Sequence, residues 1–186
     1  MPRLAKLGHD DIVLNTCITS ANLTEINRAA DQAQEWGVNI CDSAYSPRRT
    51  GNRDLFLAAP GQFDVLRQEL LRIDERRNGN GWIVSAPTTL AATRSYFESG
   101  GMSGCKAGLR FLVVTADGHL QPCSMQFKRY KLEEQARMVE EFTRANECTQ
   151  CYVTIRSNLD KSFPRLLWEN VSGYFSFGVP AQSNKT

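Results

Sequence analysis

Long hydrophobic runs and a strong excess of one charge are both missing from this 186-residue sequence. No apolar run approaches the roughly 18 residues that a membrane-spanning helix needs, and the first ten residues lack the apolar core of a secretory signal. The 22 Lys and Arg residues nearly balance the 20 Asp and Glu residues, so nucleic acid is not the expected partner. We therefore expect a cytoplasmic protein without membrane or nucleic-acid partners.

Internal repeats, low-complexity segments and histidines are also scarce or missing. The composition, 41% hydrophobic and 23% charged, is that of an ordinary globular chain. His9 lies in a polar segment and His119 follows a predicted turn, so neither is expected to be a base or a ligand. Six cysteines are present, and in a reducing cytosol they are expected to be metal ligands, catalytic thiols or buried small side chains.

Three strand-helix units are predicted in the first hundred residues. Short β-rich segments at 12–14, 38–41 and 82–85 alternate with helical periodicity, which favours parallel strands joined by crossover helices. Asn22, three residues before Glu25, is typical of a capping box at the start of the first helix, and Gly37 should end that helix. The polar loop over 43–53 is a candidate active-site loop, because α/β folds place ligands at the carboxyl ends of their strands.

A small β appendage is predicted after the third helix. Residues 110–114 face residues 119–122 across an Asp-Gly turn, and a helical stripe then leads to a C-x-x-C pair. The hairpin should bring Cys105 near Cys123, and the two-residue spacing lets Cys148 and Cys151 point at one centre. Four thiolates suit either a zinc ion or an iron-sulfur cluster, and spacing alone leaves both open. In the alternative, some of the four are buried small hydrophobic residues.

The spacing C-x12-G-x4-C, formed by Cys105, Gly118 and Cys123 and followed by C-x-x-C at Cys148 and Cys151, resembles the opening of the SPASM domain of radical SAM enzymes. The resemblance implies that the glycine turns the hairpin and that the cysteines bind an auxiliary 4Fe-4S cluster. Complete SPASM domains continue with cysteines for a second cluster, and none follows Cys151. The sequence is therefore more similar to the single-cluster version, the twitch domain, in which Cys148 and Cys151 complete the site.

The same resemblance implies an α/β fold in two parts. Residues 1–102 would be the C-terminal half of a partial (β/α)6 radical SAM barrel, containing strand-helix units four to six. Residues 103–178 would be a small α+β cysteine-rich domain, and residues 179–186 a flexible tail. The segments 14–16 and 21–23 are similar to the fourth strand and helix start in the branch that contains the molybdenum-cofactor cyclase and peptide-modifying enzymes.

Candidate ligand contacts follow from the predicted strand ends. Asn15 and Thr16 would touch SAM or the substrate, and Ser43, Tyr45 and Arg49 would line the mouth of the barrel. In the alternative, Asn15 satisfies backbone groups. Three arginines, Arg48, Arg49 and Arg53, would then be solvated surface charge.

The catalytic C-x-x-x-C-x-x-C motif of the family, which binds the cluster that reduces SAM, is missing. Cys17 and Cys41, with 23 residues between them, lie at predicted strands and are expected to be buried. The chain is therefore expected to be a fragment or one half of a split enzyme, with an N-terminal half as partner and SAM bound only in the complete enzyme. A small-molecule or peptide substrate is implied by the family. The unpaired strand at 12–14 should make the isolated chain poorly soluble.

Two other functions remain open. One is a non-catalytic module with a structural four-cysteine zinc site, although zinc ribbons usually carry two C-x-x-C knuckles. The other is a thiol-disulfide oxidoreductase built on Cys148 and Cys151, which would need this pair at the start of a helix after a strand. Aromatic and aliphatic residues near the C-terminus are expected to pack a tail helix onto the rest of the chain: Phe163, Leu166, Leu167, Trp168, Tyr174 and Phe175.

Overall fold

The computed structural model describes residues 3–4, 7, 9, 12–48, 50–77, 81–144, 146–152 and 154–176. It begins with two parallel strands, β1 (Val13–Ile18) and β2 (Asn39–Ala44), paired in register from Val13 opposite Asn39 to Ile18 opposite Ala44. A 3-10 turn and helix α1 (Ile26–Trp36) connect them. Gly37 ends α1 in the left-handed region at φ 67°, and its N–H caps the carbonyls of Ala33 and Gln34, as predicted.

Helix α2 (Pro60–Arg77) leads to residues 82–84, and helix α3 (Pro87–Glu98) follows them. Residues 82–84 add to the free edge of β2 through a parallel bridge between Ile40 and Ile83. The strand segments β1, β2 and 82–84 therefore lie side by side in the sheet in the order in which they occur in the sequence. Right-handed crossovers between strands in this order place the connecting helices on one face of the sheet.

Burial follows this arrangement. Alternate strand residues, including Ile18, Ile40 and Ala44, pack against the helices and form a core with apolar residues of α1, α2 and α3. The opposite face carries Val13, Asn15, Cys17, Cys41 and Ser43, of which the first three are exposed. We call this surface the open face.

In the second part of the chain, the described residues form a hairpin and three helices. Strands β3 (Val113–Val114) and β4 (Leu120–Gln121) are antiparallel, and Gly118 adopts φ 77° in the turn between them. A 3-10 turn and α4 (Gln135–Arg144) follow, then α5 (Thr154–Leu159) and α6 (Phe163–Ser176). A small separate core contains Leu120, Tyr130 and Met138. No helix described here is both long and apolar enough to cross a membrane.

Three local predictions are wrong. Asn22 stands at the N-cap position of the 3-10 turn, but its side chain forms no capping box: its Oδ1 accepts hydrogen bonds from Thr19, and its Nδ2 donates to the carbonyl of Cys17. Cys17 is exposed and Cys41 half-buried, because β1 and β2 run further than predicted and their alternation places both thiols on the open face. The predicted packing of α6 is wrong for Phe163, Leu167 and Trp168, which are 75%, 53% and 71% exposed, whereas Leu166 is half-buried. Predictions for residues 179–186 lie outside the described residues, as do the side chains of Tyr174 and Phe175.

Candidate metal centre

Four cysteines distant in sequence line one cavity of about 60 Å³. Cys105 precedes the hairpin, Cys123 follows it, and Cys148 and Cys151 lie in the turn between α4 and α5. This volume exceeds the roughly 10–15 Å³ that a single water needs. The rest of the lining is mostly apolar: Phe111, Leu112, Val113, Met125 and Phe142.

The thiols are close enough to influence one another electrostatically. Burial, together with smaller contributions from the thiols of Cys148, Cys105 and Cys123, raises the pKa of Cys151 to about 12, because neighbouring thiolates would repel one another. Burial also raises the pKa of Cys123. A cation inside the cavity would stabilise the thiolate forms and so lower these pKa values. Metals bind cysteine in this deprotonated form.

The donor set fits a metal group, since four thiolates with apolar surroundings are the ligands of iron-sulfur clusters and of structural zinc. In the described part of the chain, no group of three or more His, Cys, Asp or Glu side chains is arranged to hold a metal ion as it stands. The four thiols therefore line a shared cavity, and their role as ligands stays a prediction.

Asn146 joins two of the cysteine-bearing segments. Its Nδ2 donates to the carbonyl of Cys105 at 2.9 Å, and its Oδ1 accepts from the backbone N–H of Cys148 at 3.2 Å. Sequence reasoning missed this residue. An Asn two residues before a cysteine backbone N–H is a typical Asx turn, so its short-range contact could have been predicted, but the bond to Cys105 crosses 41 residues.

Arg156 joins the same two segments. It lies on α5, lines the cavity and is 1% exposed. Its guanidinium donates to the carbonyls of Met102 and Cys151, both at 2.8 Å, and to that of Ser103. It also forms an ion pair with Asp160 at 2.6 Å. A buried arginine is stable only with such partners, and these partners fix the segment before Cys105 against Cys151.

The loop after β2 reaches the cysteine segments through Arg48. The Nε of Arg48 donates to the carbonyl of Met125 at 3.2 Å, and its two Nη atoms donate to the side-chain oxygens of Gln126 at 3.2 Å and Gln150 at 2.9 Å. The interpretation of Arg48 as solvated surface charge is therefore wrong. Arg53 is exposed, and Arg49 lies outside the described residues.

The C-x-x-C turn also docks directly on the α/β units. The carbonyl of Gln150 accepts from Ser46 Oγ at 2.7 Å and lies 3.1 Å from the Tyr96 hydroxyl. The N–H of Met102 donates to the carbonyl of Thr149 at 2.7 Å. At Gly101, a Cβ would stand 2.8 Å from that carbonyl oxygen, so only glycine fits without a shift. The cavity consequently lies beside the carboxyl end of β2.

The predicted SAM or substrate contacts are dispersed. Asn15 lies on the open face, where its Oδ1 accepts from Ser43 Oγ at 2.8 Å. Thr16 faces the opposite, helix-covered side, because neighbouring strand residues alternate. Neither lies at a strand end, since β1 continues to Ile18. Tyr45 is buried and its hydroxyl donates to the carbonyl of Asn52 at 2.9 Å, within its own loop.

No family model, curated protein or solved structure matches this chain. The interpretation of the site therefore depends on the spacing of its cysteines and on the geometry around them.

Proposed function

We propose that this chain is part of a radical SAM enzyme and that Cys105, Cys123, Cys148 and Cys151 hold one auxiliary 4Fe-4S cluster. The observation that carries the proposal is the shared cavity: thiols from three separate segments meet in one mostly apolar space. Their spacing resembles that of a single-cluster twitch domain. When bound, such a cluster supplies electron transfer or a binding point for the substrate.

The α/β units support the same proposal. Sheet positions in chain order, with helices on one face, are what a singly wound barrel requires, and the open face would be its lumen. In the complete enzyme, an N-terminal half would pair with the free edge of β1, cover the open face and bring the catalytic cluster and SAM. That half is either a separate chain or the remainder of a longer one, and the complete protein would be cytoplasmic.

The docking of the cysteine segments supports a role near the substrate. Arg48, Ser46 and Tyr96 hold the C-x-x-C turn beside the carboxyl end of β2. Because α/β barrels bind their substrates at this end of the strands, the cluster would face the reaction chamber. Asn15 and Ser43, hydrogen-bonded on the open face, would then face the same chamber. The substrate would be a small molecule or a peptide.

Structural zinc is the second candidate. It is favoured by the small hydrophobic core of the second part of the chain. The buried residues of this core are Leu120, Tyr130 and Met138. Domains with so little core often depend on a metal for stability. A thiol-disulfide oxidoreductase is disfavoured, because such enzymes place the C-x-x-C pair at the start of a helix that follows a strand, whereas Cys148 and Cys151 lie in the turn between two helices, α4 and α5.

Single cysteine-to-serine variants test the proposal. After anaerobic reconstitution with iron and sulfide, replacement of any of the four cavity cysteines should abolish the brown absorbance or strongly reduce it. Cys17→Ser and Cys41→Ser are matched controls, since these thiols lie on the open face, and they should load like the wild type. Equal loss in the controls, or a colourless wild type that binds zinc, would contradict the proposal.

A further inference from the structure

Arg156 is the one charged side chain among the residues described around the cavity. It is more deeply buried than its ion-pair partner: the side chain of Arg156 is 1% exposed and that of Asp160 is 24% exposed. Asp160 does not line the cavity. The positive member of the pair thus lines the cavity together with the four thiols, and the negative member does not.

This arrangement places a fixed positive charge beside the four thiols. Coulombic interactions are strong where water is excluded, and the side chain of Arg156 is 1% exposed. The guanidinium cannot turn away, because its donors are engaged by the carbonyls of Met102, Ser103 and Cys151 and by Asp160. Any anionic group held by the four thiolates would meet this charge.

We propose that Arg156 is a positioning residue that sets the reduction potential of the metal group in this cavity, through its charge and through its hold on the Cys151 carbonyl. This inference rests on the proposed function. A 4Fe-4S cluster with four thiolates is anionic, and one-electron reduction adds a further negative charge. A fixed cation stabilises the reduced form more than the oxidised form and raises the potential.

The test is an anaerobic redox titration of the reconstituted chain, in which mediator dyes supply the electron and electron paramagnetic resonance follows the reduced cluster. Arg156→Met should shift the potential to more negative values, and Arg156→Lys should stay near the wild type. Asp160→Asn should shift it in the opposite direction, because the guanidinium charge is then uncompensated. Arg67→Met is the control, since Arg67 is paired on the surface of α2, and it should leave the potential unchanged.

The outcomes separate the inference from the proposed function. A wild type that takes up no iron removes the proposed function and the inference with it. A wild type that loads iron, together with a wild-type potential in Arg156→Met, overturns the inference alone. If Arg156→Met fails to fold, Asp160→Asn decides: a positive shift supports the inference, and an unchanged or more negative potential overturns it.

Discussion

Asp42 is a buried carboxyl group whose effect on stability can be worked out from the structure and tested. It lies on the helix-covered side of β2, is 2% exposed, and its Oδ2 accepts one long hydrogen bond, 3.4 Å, from Ser85 Oγ. In the described part of the chain its Oδ1 has no hydrogen-bond partner. Burial raises the pKa of this carboxyl from 3.8 to about 6, against a smaller lowering by Ser85.

The effect of this carboxylate on the free energy of unfolding follows from the difference between its pKa values in the folded and unfolded chain. Between about pH 4 and pH 6 the folded chain binds a proton that the unfolded chain has lost, so the free energy of unfolding falls as pH rises through this range. Two pH units at about 1.4 kcal/mol each give a loss of about 3 kcal/mol, fully present above pH 6. Asp42→Asn removes the charge and should stabilise the chain at pH 7 by about 1 to 3 kcal/mol, the lower figure applying if an amide hydrogen stays unpaired.

Urea unfolding from pH 4 to pH 8 checks this prediction. The wild type should lose stability between about pH 4 and pH 6, and Asp42→Asn should lack that part of the slope. Asp64→Asn is the control, because Asp64 is exposed on α2, and it should keep the wild-type slope. An Asp42→Asn variant that is less stable than the wild type at pH 7, or that keeps the full slope, would refute the reasoning.

Three further predictions concern the site and the open face. Gly101→Ala should destabilise the chain by about 1 to 3 kcal/mol in urea unfolding, because the new Cβ would meet the Thr149 carbonyl. Gly61→Ala is the control: it has open space around its Cβ and should be neutral or slightly stabilising. Equal effects of the two substitutions would contradict the docking of the C-x-x-C turn on the α/β units. Arg48→Ala should speed iron loss to a chelator through three lost hydrogen bonds, whereas exposed Arg53→Ala should not. Val13→Lys on the open face should reduce aggregation of the isolated chain, measured by light scattering, and should block association with an N-terminal half. Unchanged association would argue that the N-terminal half does not cover the open face.

Local sequence signals predicted much of the backbone. The amphipathic spacing of Ile26, Ala30 and Ala33 buries one face of α1, and Gly37 and Gly118 take positive φ at the two predicted turns. These features depend on neighbours within a few residues, which the sequence displays directly. The closeness of Cys105 to Cys123 and of Cys148 to Cys151 was predictable too, because a hairpin and a two-residue turn each bring two cysteines together. That the two pairs share one cavity was implied only by the family resemblance.

Long-range partners could not be predicted in this way. Arg48 has the sequence context of a surface charge, and its partners lie 77 to 102 residues further along the chain. Arg156 has no local pattern that distinguishes it from an exposed helix residue. Cys17 and Cys41 were misassigned because the sequence gives the alternation of a strand but not which face another element covers. For the apolar residues of α6, too, the sequence does not show which of them another element covers.

The most direct test of the central claim is the metal content of the wild-type chain. The chain would be purified anaerobically, and iron, acid-labile sulfide and zinc would be quantified beside a visible absorption spectrum. We expect about four iron and four sulfide per chain with a broad brown absorbance. One zinc per chain, with no iron and no colour, would contradict the radical SAM interpretation and support a structural module.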